Sequence, residues 1–492
     1  MYKETLGKDL FKLEQVETFT HYLARKNLSI GVAAIFLAIV WVAANGLSQG
    51  LDNQTFIIAA GVIGGYMALN IGANDVANNV GPAVGAKSLT LGGALIIAAI
   101  CETAGAYFAG GDVVKTISKG IVDADQMSDV RIFIWAMMSA LLAAAMWINL
   151  ATYIGAPVST THSIVGGVAG GAIAAAGFGV VDWFVMSKIA ASWVISPVLG
   201  GVIAAAFLYF IKTTIIYQPD KIAGAKRWIP VLIAIMAGAF TTYFMMKGLK
   251  HIWKPEPWVP SAIGAAVFAI TYAVMRPVIK SRADKMENRN KSVRELFHVP
   301  LIFAAALLSF AHGANDVANA VGPLAAIVDS AQSGVISTKV GVPGWVMFVG
   351  AAGISMGLFL FGPKLIRTVG DQITRLNPIR AYCVALSAAI TVIAASALGL
   401  PVSSTHIAVG AIFGVGFLRE FVTSRKTHIN HGKYVGKKPS KWERMPKGER
   451  QEKRKLVRRQ HLWTIAAAWV VTVPCAAVLS GAIFWVCTTI FE

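Results

Sequence analysis

An eleven-residue segment occurs twice in this chain. Residues 72–82 read GANDVANNVGP and residues 313–323 read GANDVANAVGP, so ten of the eleven positions agree at a spacing of 241 (from 72 to 313). A second pair follows the same order: PVSTTH at 157–162 and PVSSTH at 401–406, a spacing of 244 (from 157 to 401). Looser matches join 110–117 to 362–369, and Trp193 and Pro197 to Trp469 and Pro474. Ordered matches at near-constant spacing mark a duplication, so the chain must fold as two related halves.

The repeated segments sit among apolar runs, at 30–47, 132–154, 229–246, 261–278 and 381–400. Each is close to the ~20 residues a helix needs to cross ~30 Å of hydrocarbon. Only 14% of residues are charged, against about 25% in soluble proteins, which excludes an ordinary soluble enzyme or binding module. The 47 glycines suit close helix packing in lipid. The net charge of +19 does not indicate nucleic acid, because Lys and Arg collect in loops between the apolar runs. Cys101, Cys383, Cys475 and Cys487 lie in apolar segments without metal-ligand spacing or a disulfide framework, and read as small buried hydrophobes. The run at 29–46 reads as a retained anchor rather than a signal peptide, with the N-terminus cytoplasmic.

Charge gives each half a direction. Segment 48–54, which enters the first copy, has one acid and no base; segment 276–295, which enters the second, has seven bases. Segment 110–131 has three bases and four acids, while its counterpart 363–380 has four bases and one acid. No base falls in 177–187, whereas its counterpart 419–459 has fifteen. Basic loops stay cytoplasmic, so the copies face opposite ways. The expectation is an all-α polytopic membrane protein. It has two inverted-topology repeats with broken helices and about 12–13 transmembrane segments, some of them open to being re-entrant hairpins. The chain divides into 1–54, a tail and an extra helix; 55–212, repeat 1; 213–295, two linking helices and a basic cytoplasmic loop; and 296–492, repeat 2. Repeat 2 carries the basic cytoplasmic loop 419–460, either a lipid-surface segment or a solvated topology determinant.

The motifs are built to interrupt helices. In GAND, the Asn and Asp side chains compete with helical backbone bonds. Freed carbonyls and the oxygens of Asn74, Asp75, Asn78, Asn315, Asp316 and Asn319 would supply hard ligands for a small cation. In PVSTTH, Pro precedes hydroxyl residues suited to a helix N-cap. A half-helix starting there aims free N–H groups and its positive dipole end inward, where an anion would be held. Ser159, Thr160, Thr161, Ser403, Ser404 and Thr405 are the candidate anion ligands, together with Asp75 and Asp316, since a carboxylate among apolar spans is costly and usually functional. Glu102 aligns with Ile354 and breaks the symmetry, as a coupling partner or a structural bond. Lys87 reads as the end of its segment. His162 and His406 follow the hydroxyls, in helix-turn hydrogen bonds or in proton coupling.

The duplicated GANDVAN segments and the P-V-S-[ST]-T-H segments resemble the inorganic phosphate transporter family known as PiT, and the resemblance spans nearly the whole chain. It implies symport of inorganic phosphate with Na⁺ or H⁺, alternating access, a homodimer in the cell inner membrane and no cofactor. It implicates Asn74, Asp75, Asn315 and Asp316 with the hydroxyls at 159–161 and 403–405. No Lys or Arg falls in either motif pair, so phosphate would be held by hydroxyls and N–H groups, with bound cations balancing charge. A carboxylate can take a proton from phosphate but repels sulfate. The GAND form is closer to the sodium-using branch than to the H-D-T-A-N form of proton-coupled bacterial members. The alternatives are a proton-coupled phosphate, metal-phosphate or sulfate permease, an intramembrane enzyme using Asp75 and His162, and a channel. Duplication argues against an enzyme, because catalysis uses one asymmetric constellation.

Overall fold

In the computed structural model, the described residues are 27–430 and 459–491, apart from 52, 124–125, 128, 155–157, 250–252, 254, 257, 337–340 and 373–375. Most of the expected loop 419–460 therefore lies outside the described residues, as does the tail 1–26, but 419–430 is helix rather than loop, a continuation of the helix that begins at Ser404. The described chain is almost entirely helical; its sole strand-like feature is a bridge between Val122 and Val181.

A first helix, α1 (Asn27–Leu47), precedes repeat 1. Repeat 1 then forms α2 (Gln54–Asn74), α3 (Val76–Gly85), α4 (Leu91–Ala109), α5 (Gly111–Lys115, continuing into a π-turn at Thr116–Gly120), α6 (Val130–Ile154), α7 (Thr160–Ala176) and α8 (Trp183–Ile211). The linker holds α9 (Lys221–Tyr243), α10 (Trp258–Ala283) and the short α11 (Asn290–Leu296). Repeat 2 forms α12 (His298–Asp316), α13 (Ala318–Ser333), α14 (Gly344–Gln372), α15 (Pro378–Ala397), α16 (Ser404–Asn430) and α17 (Arg459–Phe491). Taking α2–α3 and α12–α13 as single rods, twelve described helices are long and apolar enough to cross a membrane. The 17-residue α7 falls short of that length, so the count stands at the lower of the expected 12–13.

The duplication appears as reciprocal packing. Helix α2 packs on α14, and its counterpart α12 packs on α4. Helix α7 packs on α17, and its counterpart α16 packs on α8. The α2–α6 contact is matched by α12–α15, and α8–α15 by α17–α6. Each repeat therefore completes its packing on the other. The glycines explain how the helices come so close. A Cβ on Gly72 would overlap the backbone carbonyl of Ile354, and one on Gly313 would overlap that of Glu102. The pairing also confirms from packing that Glu102 and Ile354 occupy equivalent positions. Without a water-driven force between helices in lipid, such close approach supplies the packing energy. Gly313→Ala is expected to cost about 3 kcal/mol, since a backbone carbonyl cannot swing aside as a side chain can. Thermal unfolding in detergent checks this against Gly31→Ala, where an added Cβ meets nothing; equal midpoints for the two variants would refute it.

The exterior is apolar, with Ile35, Ile39, Val198, Val202, Val470 and Val478 all exposed, as lipid contact requires. The interior is where the polar groups are, and among them are Asp75, Glu102, His312 and Asp316.

Candidate functional site

Two antiparallel helical hairpins, α6–α7 and α15–α16, bring the hydroxyl motifs together at their tips. Ser159 caps α7, its hydroxyl accepting from the His162 N–H at 3.2 Å. Ser403 does the same for α16, accepting from the His406 N–H at 3.3 Å. The N-caps expected from the sequence are present in both copies. The tips touch each other, the Thr161 hydroxyl donating to the Val402 carbonyl at 3.0 Å, and α8 braces the second tip through the Trp193 indole N–H, which donates to the Pro401 carbonyl at 3.0 Å. The His162 ring stacks on Trp193 at 3.8 Å and meets the His406 ring edge-on at 4.9 Å. His162 Nδ1 lies 2.7 Å from the Ser159 hydroxyl, the helix-turn bond read from sequence.

The GAND segments lie against these tips. The interruption there is smaller than expected: Asp75 alone separates α2 from α3, and Val317 alone separates α12 from α13. Both keep helical dihedrals, and their N–H groups still bond to Ile71 and Gly313 carbonyls. The expectation of freed backbone carbonyls as cation ligands is therefore corrected. The helical ladder persists because Asn and Asp find side-chain partners across the interface instead of competing for their own backbone. The Asn74 amide donates to Thr152 Oγ1 at 2.8 Å and the Asn315 amide to Ser396 Oγ at 2.9 Å, equivalent bonds in the two copies. Asn315 Oδ1 also accepts from the Val402 N–H at 3.2 Å, so Asn315 braces the second tip. The Asn78 amide donates to Thr405 Oγ1 at 2.8 Å, and that of Asn319 to Thr160 and Thr161 Oγ1, each at 3.2 Å.

The carboxylates complete the set. Asp75 accepts from Thr160 of its own repeat at 2.6 Å and from Thr405 of the other at 3.2 Å. Ser404 donates to Asp316 at 3.4 Å, the counterpart of the Thr160–Asp75 bond. Asp75, Asp316 and His312 each present a ligand atom within 4.8 Å of the others. Two carboxylates this close in a dry site repel strongly unless positive charge joins them. All six motif hydroxyl residues and both aspartates are buried, Thr405 being the most exposed at 6%. None of these groups is open to solvent in this structure.

One functional candidate escaped the sequence reading. His312 precedes the second GAND, where the first copy has Ile71. Its ring nitrogens lie 3.2 Å from Glu102 Oε1 and 2.8 Å from Asp316 Oδ2. Asn79, whose counterpart is Ala320, donates to the same Glu102 oxygen at 2.9 Å. The available signal was the mismatch itself: three polar residues, Asn79, Glu102 and His312, each face an apolar counterpart. On one flank, Lys247 of the linker bonds Asp112 at 3.1 Å and the Ala397 carbonyl at 2.8 Å, and the Thr116 hydroxyl donates to the Gly399 carbonyl at 2.6 Å. These bonds tether the residues leading into the second tip, as Asn315 does the tip itself. Lys87 is exposed just past the end of α3, with φ of 58°, as a segment end should be.

A family model described as the phosphate transporter family matches residues 71–480, which takes in both GAND segments and both hydroxyl motifs. The chain belongs to the phosphate transporter family. Among its relatives in the family is a protein of Helicobacter pylori (strain J99) named "Putative phosphate permease", 51% identical over 415 residues, covering 84% of this chain and 78% of that one. A relative with the same description in Pyrococcus abyssi is 36% identical over 436 residues, 88% of this chain and 98% of that one. A solved structure described as the sodium-dependent phosphate transporter superposes with a TM-score of 0.78 at 35% identity, covering 89% of this chain and all of that one. This family member is thus an integral membrane protein with twelve described helices long and apolar enough to cross, and its relatives are named as permeases.

Proposed function

We propose that the protein imports inorganic phosphate by symport with a cation, Na⁺, through alternating access. The observation that carries this reading is the convergence of hydroxyls from both repeats on one carboxylate, Asp75. Hydroxyls and free N–H groups at two helix N-termini suit an oxyanion. The nearby Asp75 and Asp316 suit a hard cation, which would also neutralise part of the phosphate charge. Na⁺ is favoured over H⁺ by the oxygen-rich motif and by the sodium-dependent transporter that shares this fold. The closed site and the reciprocal hairpins suit a mechanism in which each repeat opens one side in turn. The basic loops support a cytoplasmic N-terminus, and the family resemblance favours a cell inner membrane and a homodimer.

A second reading, proton coupling, draws on His312 between Glu102 and Asp316, since a histidine bridging two buried carboxylates is suited to carrying a proton. Uptake into proteoliposomes under a Na⁺ gradient alone, then under a pH gradient alone, separates the two. The expected result is uptake driven by Na⁺, competed by arsenate and not by sulfate. Uptake driven by the pH gradient alone would transfer the coupling role to protons, and competition by sulfate would overturn phosphate selectivity.

A further inference from the structure

The second tip is held from a third part of the chain, outside both repeats. Helix α9 ends in a π-turn, Phe244–Gly248, and this turn carries Lys247. Lys247 Nζ donates to Asp112 Oδ2 of repeat 1 at 3.1 Å and to the Ala397 carbonyl of repeat 2 at 2.8 Å. One ammonium therefore joins the linker, α5 and the end of α15. A second bond closes beside it, from the Thr116 hydroxyl to the Gly399 carbonyl at 2.6 Å. Gly399 has a φ of 69°, and a Cβ there would come within 3.3 Å of the Asp112 carbonyl and of Thr116 Oγ1. The α5 segment thus lies as a crossbar against the end of the second hairpin. Rings fix the π-turn in place: Phe244 meets Phe108 of α4 at 5.5 Å and Phe310 of α12 at 5.9 Å.

From this crossbar a continuous path of bonds leads to the hydroxyl site. Ala397 follows Ser396, whose hydroxyl accepts from the Asn315 amide. Asn315 accepts in turn from the Val402 N–H, and the Val402 carbonyl accepts from Thr161 of the first tip. Helix α14, the counterpart of α4–α5, runs unbroken from Gly344 to Gln372, so the break that forms the crossbar is a feature of repeat 1. Lys247 and Asp112 are partly buried, 32% and 23% exposed, where an ion pair is screened less than on an open surface. Helix α15 runs from Pro378 at the base of the hairpin to Ala397 at its tip, so the crossbar faces away from that base. We propose that Lys247 is a positioning residue and a latch: its bonds to Asp112 and Ala397 hold the second hairpin closed toward the face of α5, and they break before the hydroxyl site opens there. This rests on the alternating-access reading, in which one face at a time admits phosphate. The latch acts on the balance between closed and open states, and it touches neither phosphate nor cation.

The test uses the full chain in proteoliposomes and separates KM for phosphate from the maximal uptake rate. Phosphate is supplied on the face of α5, which loop charge assigns to the outside. Removing a latch raises the fraction of protein open to that face, which lowers the apparent KM. It also makes the closing step less favourable, which lowers the rate. K247M is expected to lower both about tenfold, as loss of one charge-assisted bond implies. T116V, which cuts the neighbouring bond without removing a charge, is expected to act in the same direction and more weakly. K247R keeps donors for both acceptors and is expected to stay within about twofold of the parent. A lysine with a merely structural role gives a different pattern, in which fewer active molecules lower the rate and leave KM unchanged. That pattern in K247M and T116V, or a raised KM, overturns the proposal. Hydrogen exchange of residues 396–406 in the parent, with and without Na⁺ and phosphate, tests the reading beneath it. No response there sinks alternating access and the latch together; a response in the parent, with KM unmoved in both variants, sinks the latch alone.

Discussion

Phosphate uptake by Asp75→Asn is expected to fall at least about 100-fold. Asp75 is the acceptor for Thr160 at 2.6 Å and for Thr405 at 3.2 Å, and those hydroxyls already accept from Asn319 and Asn78. An asparagine offers one oxygen where the carboxylate offers two, so one hydroxyl hydrogen loses its acceptor. It also carries no charge for a bound cation. Hydrogen bonds to a charged group contribute about 1.5–3 kcal/mol each and neutral ones about 1 kcal/mol, so losing one and weakening the other amounts to about 2–5 kcal/mol, centred on two to three decades. The side chain is nearly isosteric, so the fold should persist. Initial uptake rates in proteoliposomes, matched for protein content, measure the effect. Uptake within about tenfold of the parent, with its Na⁺ dependence intact, would remove Asp75 from the site.

His312→Leu is expected to lower stability by about 3–5 kcal/mol, because it strands buried carboxylates that the ring now joins. Glu102 and Asp316 are each 1% exposed, and His312 is fully buried. Glu102 keeps Asn79 as a donor, whereas Asp316 keeps only the long Ser404 bond at 3.4 Å. Adding Glu102→Gln to His312→Leu should therefore recover part of the loss, and adding Asp316→Asn should recover more. Thermal unfolding of the single and double variants gives the coupling directly. Additive losses, with no recovery in either double variant, would mean that the ring and the carboxylates do not interact.

These two variants divide along what could be read before the structure. Asp75 was legible because it occurs in a motif present twice, and a repeated carboxylate among apolar spans has few structural explanations. The Ser159 and Ser403 caps were legible for a similar reason, since a cap is set by residues three apart. His312 was not, because its meaning depends on Glu102, 210 positions earlier (from 102 to 312), and on Asp316 four positions later. Only the local half of that pair leaves a trace in the sequence. The softness of the GAND interruption was also illegible: local propensity favours a break, and it yields when Thr152 and Ser396 supply tertiary partners.

The sequence by itself determined the duplication and the residue types at the paired motifs. Those properties follow from composition and short-range backbone chemistry, which act over a few residues. Only the tertiary structure decided that Thr405 of one repeat bonds Asp75 of the other across 330 positions, and that each repeat lends its helices to the other. Such pairings are chosen by which glycine faces let two backbones approach, a three-dimensional fit that no single segment encodes.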